Sequence, residues 1–325
     1  MAGQFNPQNL DILRRTTRLD FFSQLGVKQI ETMWNKLAMD LDSDSDQEVV
    51  AFFGAIPKPQ RVDRRAGGGS ATGRKGLNDY AKTIVNATWK MIVPVHRDTM
   101  ADAKLDQIRV RARSQADSAM AFLDERMTAV IEANANSYDN IAFFGSNHDD
   151  GTGNSHSNDI SVDIVTPSAP TVAEFETAFG SGLERMRLLE DDQNRKANHG
   201  DLGLVVMVPA NMERVAKTAL TNTQGAQPVL VGTAGAVTQF TGIWKGFASV
   251  IVNPFTAAAL NERFYIFSTS SSIKPIVYQK REEWEYDLLT EGDRWKLDDI
   301  ASMITRGRWE FAGGDHKKAV RVVLT

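Results

Sequence analysis

The spacing of apolar residues divides the chain into a weakly patterned start, a β-rich stretch, one long helical run and a mixed second half. Over residues 101–134, Leu105, Ile108, Ala112, Ala116, Ala119, Leu123, Met127 and Val130 recur at intervals of three and four. Arg109, Arg111, Arg113, Asp117, Asp124 and Arg126 take the other faces, and no glycine or proline interrupts the run. The pattern predicts a helix of about 34 residues, roughly 50 Å long. Its alanine-rich face suits close packing on a sheet. A second helix is predicted over 171–191, with Thr171 as N-cap and Glu174 in the capping-box position. A third is predicted over 210–220. The unbroken apolar run LGLVVMVP, 202–209, predicts a buried strand, and residues 223–240, rich in Gly, Thr and Ala, predict a mobile loop. Four β-like runs follow: WKGFASVIVNPF, RFYIFSTSSS, IKPIVYQKR and IASMITRGRWEF. Helices do not alternate strictly with strands, so the predicted class is α+β and not a doubly wound sheet. No internal repeat is present.

The first 97 residues have a different character. Leu10, Ile12, Leu13, Leu19, Phe21, Phe22, Leu25, Ile30, Met33, Trp34, Leu37 and Met39 suggest short helical patches on a broken apolar stripe. Residues 1–46 therefore read as an arm that needs a partner surface to become ordered. The arm closes on Asp40, Asp42, Asp44 and Asp46, spaced two apart. Such aspartates repel along a strand face and disfavour a helix interior, so a solvated loop is expected, with a weak cation site as the alternative. Two runs rich in β formers follow, EVVAFFGAIP and DYAKTIVNATWKMIVPVHR. They flank PKPQRVDRRAGGGSATGRKG, which is basic, glycine-rich and without apolar anchors. The pattern over 47–97 is an extended hairpin with a flexible basic tip. Such a hairpin is marginal alone in water and expects to lie on a neighbouring molecule.

Composition narrows the function. With 42% hydrophobic and 24% charged residues in 325, the chain can build a sizeable core. Its net charge of −4 argues against a general nucleic-acid binder, although it permits a container whose inner wall tolerates DNA. There is no cysteine, which excludes disulfides, thiolate chemistry and Cys-ligated metals. The N-terminal residues hold no secretory apolar core and no run is long enough to span a bilayer, so synthesis in the cytosol and no membrane partner are expected.

Candidate chemistry is sparse. Gly68 to Lys75 resembles a phosphate loop, but Arg74 stands where the lysine belongs and Lys75 where the hydroxyl belongs, so a flexible basic tip is the better reading. His148, Asp149, Asp150, His156 and Asp159 crowd one segment. Their spacing matches no helical ligand pair, and Gly151 and Gly153 loosen the loop, so a polar surface loop is expected and no metal. No serine elbow is present, and none of the five histidines has a serine and acid context. Adjacent acid pairs such as Glu282-Glu283 read as solvated faces. Trp284, Trp295, Trp309, Tyr278 and Tyr286 lie in β-like runs and read as core or interface, not as base-stacking platforms. No catalytic residue and no cofactor are expected.

Five segments in order resemble the major head subunits of Mu-like tailed phages: EVVAFFGAIPKPQ (48–60), NATWKMIVPVHRDTMADAKLDQIRVR (86–111), YDNIAFFGSNHDDGTGNSHSN (138–158), IKPIVYQKREEWEY (273–286) and ITRGRWEFAGGD (304–315). The chain departs from the family at the hairpin, where RVDRRAGGGSATGRKG replaces an Arg-x-Trp after the proline. The resemblance implies the tailed-phage capsid fold of Hong Kong 97 type. Its parts would be an N-terminal arm (1–46), an extended loop (47–97), a peripheral domain (98–159 and 273–325) with spine helix 101–134, and an axial domain (160–272). It implies self-assembly as hexamers and pentamers into an icosahedral head around double-stranded DNA. The implied partners are portal and scaffold or decoration proteins, with assembly in the host bacterial cytoplasm. Candidate contacts between subunits are the basic tip, Arg61, Arg64, Arg65, Arg74 and Lys75, against acids of a neighbour such as Glu282, Glu283 and the Asp40–Asp46 run. An encapsulin-like cargo shell and a metal-dependent enzyme using His148, His156 and Asp159 are the alternatives.

Overall fold

The computed structural model describes residues 7–50, 80–98, 105–149, 155–192, 194–200, 202–221 and 244–325. The basic tip and the loop 223–240 lie outside them. The chain forms two compact units.

Unit 1 draws on three stretches of chain, Met1–Glu48, Ile84–Val130 and Val277–Ala312. Its sheet has the order β1-β11-β12-β4, from β1 (Ala38–Asp42), β11 (Ile276–Leu289), β12 (Ile300–Gly313) and β4 (Ala87–His96). β12 and β4 pair antiparallel over ten residues, from Ile300 opposite His96 to Trp309 opposite Ala87. The long predicted helix is present as α3 (Leu105–Ala133). Its Ile108, Ala112 and Ala116 are buried with Val95, Tyr286, Leu288, Ala301 and Met303 of the sheet. Alanine at these positions lets the helix axis approach the strands closely, as the sequence predicts.

The start of the chain differs from its expectation. In place of short helical patches, a single helix, α1 (Pro7–Glu31), runs through the region. Leu13 and Phe21 enter the same core, with Leu10 and Leu25 packed against it, and Phe21 stacks on Tyr286 at 4.7 Å between centroids. With buried Thr17 between Leu13 and Phe21, these positions recur at three- and four-residue spacing on one side. Charge fixes the docking. Asp20, nearly buried, accepts from Arg109 at 2.5 and 3.2 Å and from Arg113 at 2.8 Å. The Arg109 hydrogen bond, against the opposing cost of burial, holds the Asp20 carboxyl below its ordinary range. Short α2 (Trp34–Leu37) follows, and Asp124 accepts from the Met33 and Trp34 amides at 3.1 and 3.0 Å. Burial nonetheless raises the Asp124 carboxyl above its ordinary value.

The aromatics of β11 and β12 lie where core packing places them. Trp309 is fully buried, and Tyr278, Trp284 and Tyr286 nearly so. Gly307 admits this packing, because a Cβ there would stand 2.9 Å from Trp284 and 3.0 Å from Trp309. β2 (Gln47–Val50) pairs with β3 (Lys82–Val85) as a two-stranded ribbon.

Unit 2 is built on a five-stranded sheet of order β7-β13-β10-β8-β9. Its strands are β7 (Asp159–Val162), β13 (Ala319–Leu324), β10 (Arg263–Ser268), β8 (Leu204–Pro209) and β9 (Ser249–Asn253). β13 and β8 flank β10 antiparallel, while β7 joins β13 and β9 joins β8 in parallel. β8 is buried at all six positions, matching its unbroken apolar run. α4 (Val172–Leu188) and α5 (Glu213–Leu220) cover the sheet. The capping box opens α4 as predicted, with Thr171 accepting from the Glu174 amide and Glu174 accepting from the Thr171 amide. A β-hairpin of β5 (His148–Asp149) and β6 (Ser155–His156) completes the unit. Among the described residues no helix is long and apolar enough to cross a membrane.

Candidate functional site

Three features outside ordinary core packing stand out. The first is the outer face of α1. Ile12, Leu19, Val27 and Ile30 are 60, 72, 56 and 74% exposed. At 3.6 residues per turn, Ile12, Leu19 and Ile30 fall within about 20° of one another on the helix, with Val27 about 60° away. They form one apolar stripe opposite the docked face. Stripes of this kind mark contact surfaces more often than isolated exposed apolar residues do.

The second is a charged cluster on the sheet of unit 1. β1, β11 and β12 lie side by side, so the aspartates of the acidic run meet the cations of the neighbouring strands. Lys280 reaches Asp40 at 3.4 Å, Asp42 at 3.6 Å and Glu283 at 2.9 Å. Arg306 pairs with Glu282 at 3.2 Å, and Arg281 and Arg308 both bind Asp46. The expectation of a solvated acidic loop is corrected here. Asp40 and Asp42 sit on a strand, because Lys280 of the adjacent strand offsets their mutual repulsion. Glu282 and Glu283 thus have partners within their own chain. Glu283 and Asp42 remain largely exposed, and such pairs are worth only about 0–1 kcal/mol each, so an incoming cation can exchange into them. Arg61, Arg64, Arg65, Arg74 and Lys75 lie outside the described residues.

The third is a histidine cluster in unit 2, and it overturns the expectation of a polar surface loop. His148 is fully buried on β5, and its Nδ1 lies 2.5 Å from Asp139 Oδ2. His316, 1% exposed, arrives from the short 3-10 turn His316–Lys318, with its Nδ1 3.3 Å from Ser137 Oγ. The two rings stack at 3.9 Å with 8° between planes, and His156 stacks beside both, at 5.8 and 5.7 Å. Burial, then the neighbouring His148, Lys317 and His156, push His316 well below the ordinary histidine range, so it is neutral at pH 7. Asp159, a candidate ligand by sequence, is instead held by Arg321 at 2.6 and 2.8 Å. Asp150 lies outside the described residues. Local spacing points to His148 and His156, but no local signal joins them to His316, 160 positions further on.

A long helix on a four-stranded sheet in one unit, and a five-stranded sheet covered by helices in the other, make a fold that matches tailed-phage major capsid structures. A chain of the procapsid of bacteriophage JBD30 is similar, with 16% identity and a TM-score of 0.56, over 98% of this chain and 76% of that one. So is a chain of the mature capsid of bacteriophage PhiM1, with 10% identity and a TM-score of 0.56, over 90% of this chain and 87% of that one. A virus-like particle from Pyrococcus furiosus is similar at 8% identity and a TM-score of 0.53, over 95% of this chain and 98% of that one. At these identities the likeness is one of fold. None of the curated proteins matches the chain. The sequence supplies what the fold alone does not, since residues 10–168 match the family of the Mu-like prophage major head subunit gpT. That match spans just under half of the chain, and together with the fold it supports a structural capsid protein that assembles into a multimeric shell.

Proposed function

We propose that the subunit forms hexamers and pentamers that close into the icosahedral head of a tailed bacteriophage around its double-stranded DNA. The observation that carries this reading is the exposed apolar stripe of α1, set on a capsid fold in which a sister subunit is the natural occupant. In this reading residues 1–46 act as the arm, 47–97 as the extended loop, 98–159 with 273–325 as the peripheral domain, and 160–272 as the axial domain. Contacts spread over many small surfaces gain from multivalency, so none needs to be strong. The net charge of −4 argues against a general nucleic-acid binder but permits an inner wall that tolerates DNA. Portal, scaffold and decoration proteins are the further partners, and assembly takes place in the host bacterial cytoplasm. Electron microscopy of the expressed chain is expected to show closed shells of uniform size, and particles from infected or induced cells are expected to contain DNA. A chain that stays monomeric at shell-forming concentrations refutes the reading, and particles filled with protein cargo replace it with a compartment shell.

The basic tip has a more local role in the same reading. Arg61, Arg64, Arg65, Arg74 and Lys75 exchange into the exposed acids of a neighbour, Glu282, Glu283 and the Asp40–Asp46 run. The triple change Arg61→Glu, Arg64→Glu, Arg65→Glu is expected to lower the disassembly temperature of particles while the free subunit melts unchanged. Particles of unaltered heat resistance would remove the tip from the interface.

A further inference from the structure

We propose that His148, His316 and His156 bind one divalent transition-metal ion, zinc by preference, which pins the C-terminal turn of unit 2 to its 134–162 segment. Nothing in capsid building calls for this cluster, and its chemistry is unusual for a core. A carboxylate accepts hydrogen bonds, so Asp139 fixes the proton of His148 on Nδ1. The lone pair then sits on Nε2, which is buried and has no hydrogen-bond partner. His316 has its Nδ1 3.3 Å from the Ser137 hydroxyl, which can accept from it or donate to it, and its Nε2 is likewise buried without a partner. Two buried nitrogens in this state cost stability unless something accepts their lone pairs. A carboxylate or hydroxyl behind each ring, with the far nitrogen free, is the second-shell pattern of histidines that ligate metals.

Distances and charge fit. Donor atoms of Asp139, His148 and His316 lie within 4.8 Å of one another. Tetrahedral zinc with bonds of about 2.1 Å sets its ligands about 3.4 Å apart, and because imidazole lone pairs lie in the ring planes, each of the two rings stacked at 3.9 Å turns out of the stack by roughly 55° to aim at one ion. His156 supplies the third imidazole by a side-chain rotation from its place beside both rings. Asp139 contributes negative charge behind His148 and is held by the Ile141 amide at 3.1 Å. Three nitrogen donors and no thiolate suit zinc, nickel or cobalt and not calcium or magnesium. The ion would join three stretches of chain: residues 137–148, the β5–β6 hairpin and the turn at 316.

The test uses the full chain without an affinity tag, stripped with chelator and given zinc or cobalt alone. One ion per chain by elemental analysis is expected, with a rise in melting temperature of roughly 5 °C at saturating metal. Cobalt is expected to give the visible absorption of a tetrahedral nitrogen and oxygen site. His148→Gln and His316→Gln should each weaken binding more than tenfold, and Asp139→Asn by roughly 10–100-fold through loss of ring orientation. If these variants fold poorly, the cobalt spectrum of the unsubstituted chain still decides. Wild-type protein that takes up no stoichiometric metal, or variants that bind as the parent does, overturn the proposal and leave three neutral stacked rings. The measurement is made on unassembled chain, so a failure to form shells leaves its outcome intact.

Discussion

Leu19→Glu combined with Ile30→Glu is expected to yield a folded subunit whose shell yield falls at least tenfold. Both positions are largely exposed on the outer stripe of α1, so the substitutions remove nothing from the core. Glutamate is as good a helix former as leucine, and the inner contacts of Leu13, Phe21 and Asp20 are untouched. Circular dichroism and melting of the free chain should therefore match the parent. In the shell the same two charges would be carried into an apolar contact, where an unpaired carboxylate costs several kcal/mol. Repetition over every copy multiplies that cost through the lattice. Gel filtration and microscopy of matched preparations give the answer, and normal shells from the double variant would show that this face looks onto solvent in the particle.

The second large effect is in the core of unit 1. Trp309→Ala is expected to destabilise that unit by about 3–5 kcal/mol. Trp309 is fully buried, with ring centroids 5.6–5.8 Å from Trp89, Phe122, Tyr278, Trp284 and Phe311. No single neighbour can collapse into the space it leaves. Trp295→Ala is the comparison: that ring is partly exposed, packs against the edge of the same core and lies 5.4 Å from the Arg97 guanidinium. A smaller loss, about 1–2 kcal/mol, is expected there. Comparable losses from the two variants, read by denaturant unfolding, would mean that the aromatic cluster does not hold the unit together.

What could be read from sequence was local. The period of Ile108, Ala112 and Ala116, the Thr171–Glu174 cap and the run at Leu204–Pro209 each depend on neighbours a few positions away, and each forms the element its pattern predicts. α1 misled because both of its sides carry apolar residues. Leu13 and Phe21 face inward while Ile12, Leu19 and Ile30 face outward, so the stripe looked broken when it was two stripes. The acidic run misled because its cations stand some 240 residues later, brought alongside only when β1 joins β11. The histidine cluster was half legible. His148 and His156 lie close in sequence, but their burial and the ring of His316 come from the fold. β13 is as short as β8 but is interrupted by Arg321, which weakens its apolar signal, yet it occupies an interior place in its sheet.

That place sets a clock on biosynthesis. Since β13 lies between β7 and β10, the ribosome must pass Leu324 before the sheet of unit 2 can close. A nascent chain that has not yet reached β13 therefore lacks one finished half. Fragments that stop before β13 share that defect and leave the facing edges of β7 and β10 unpaired.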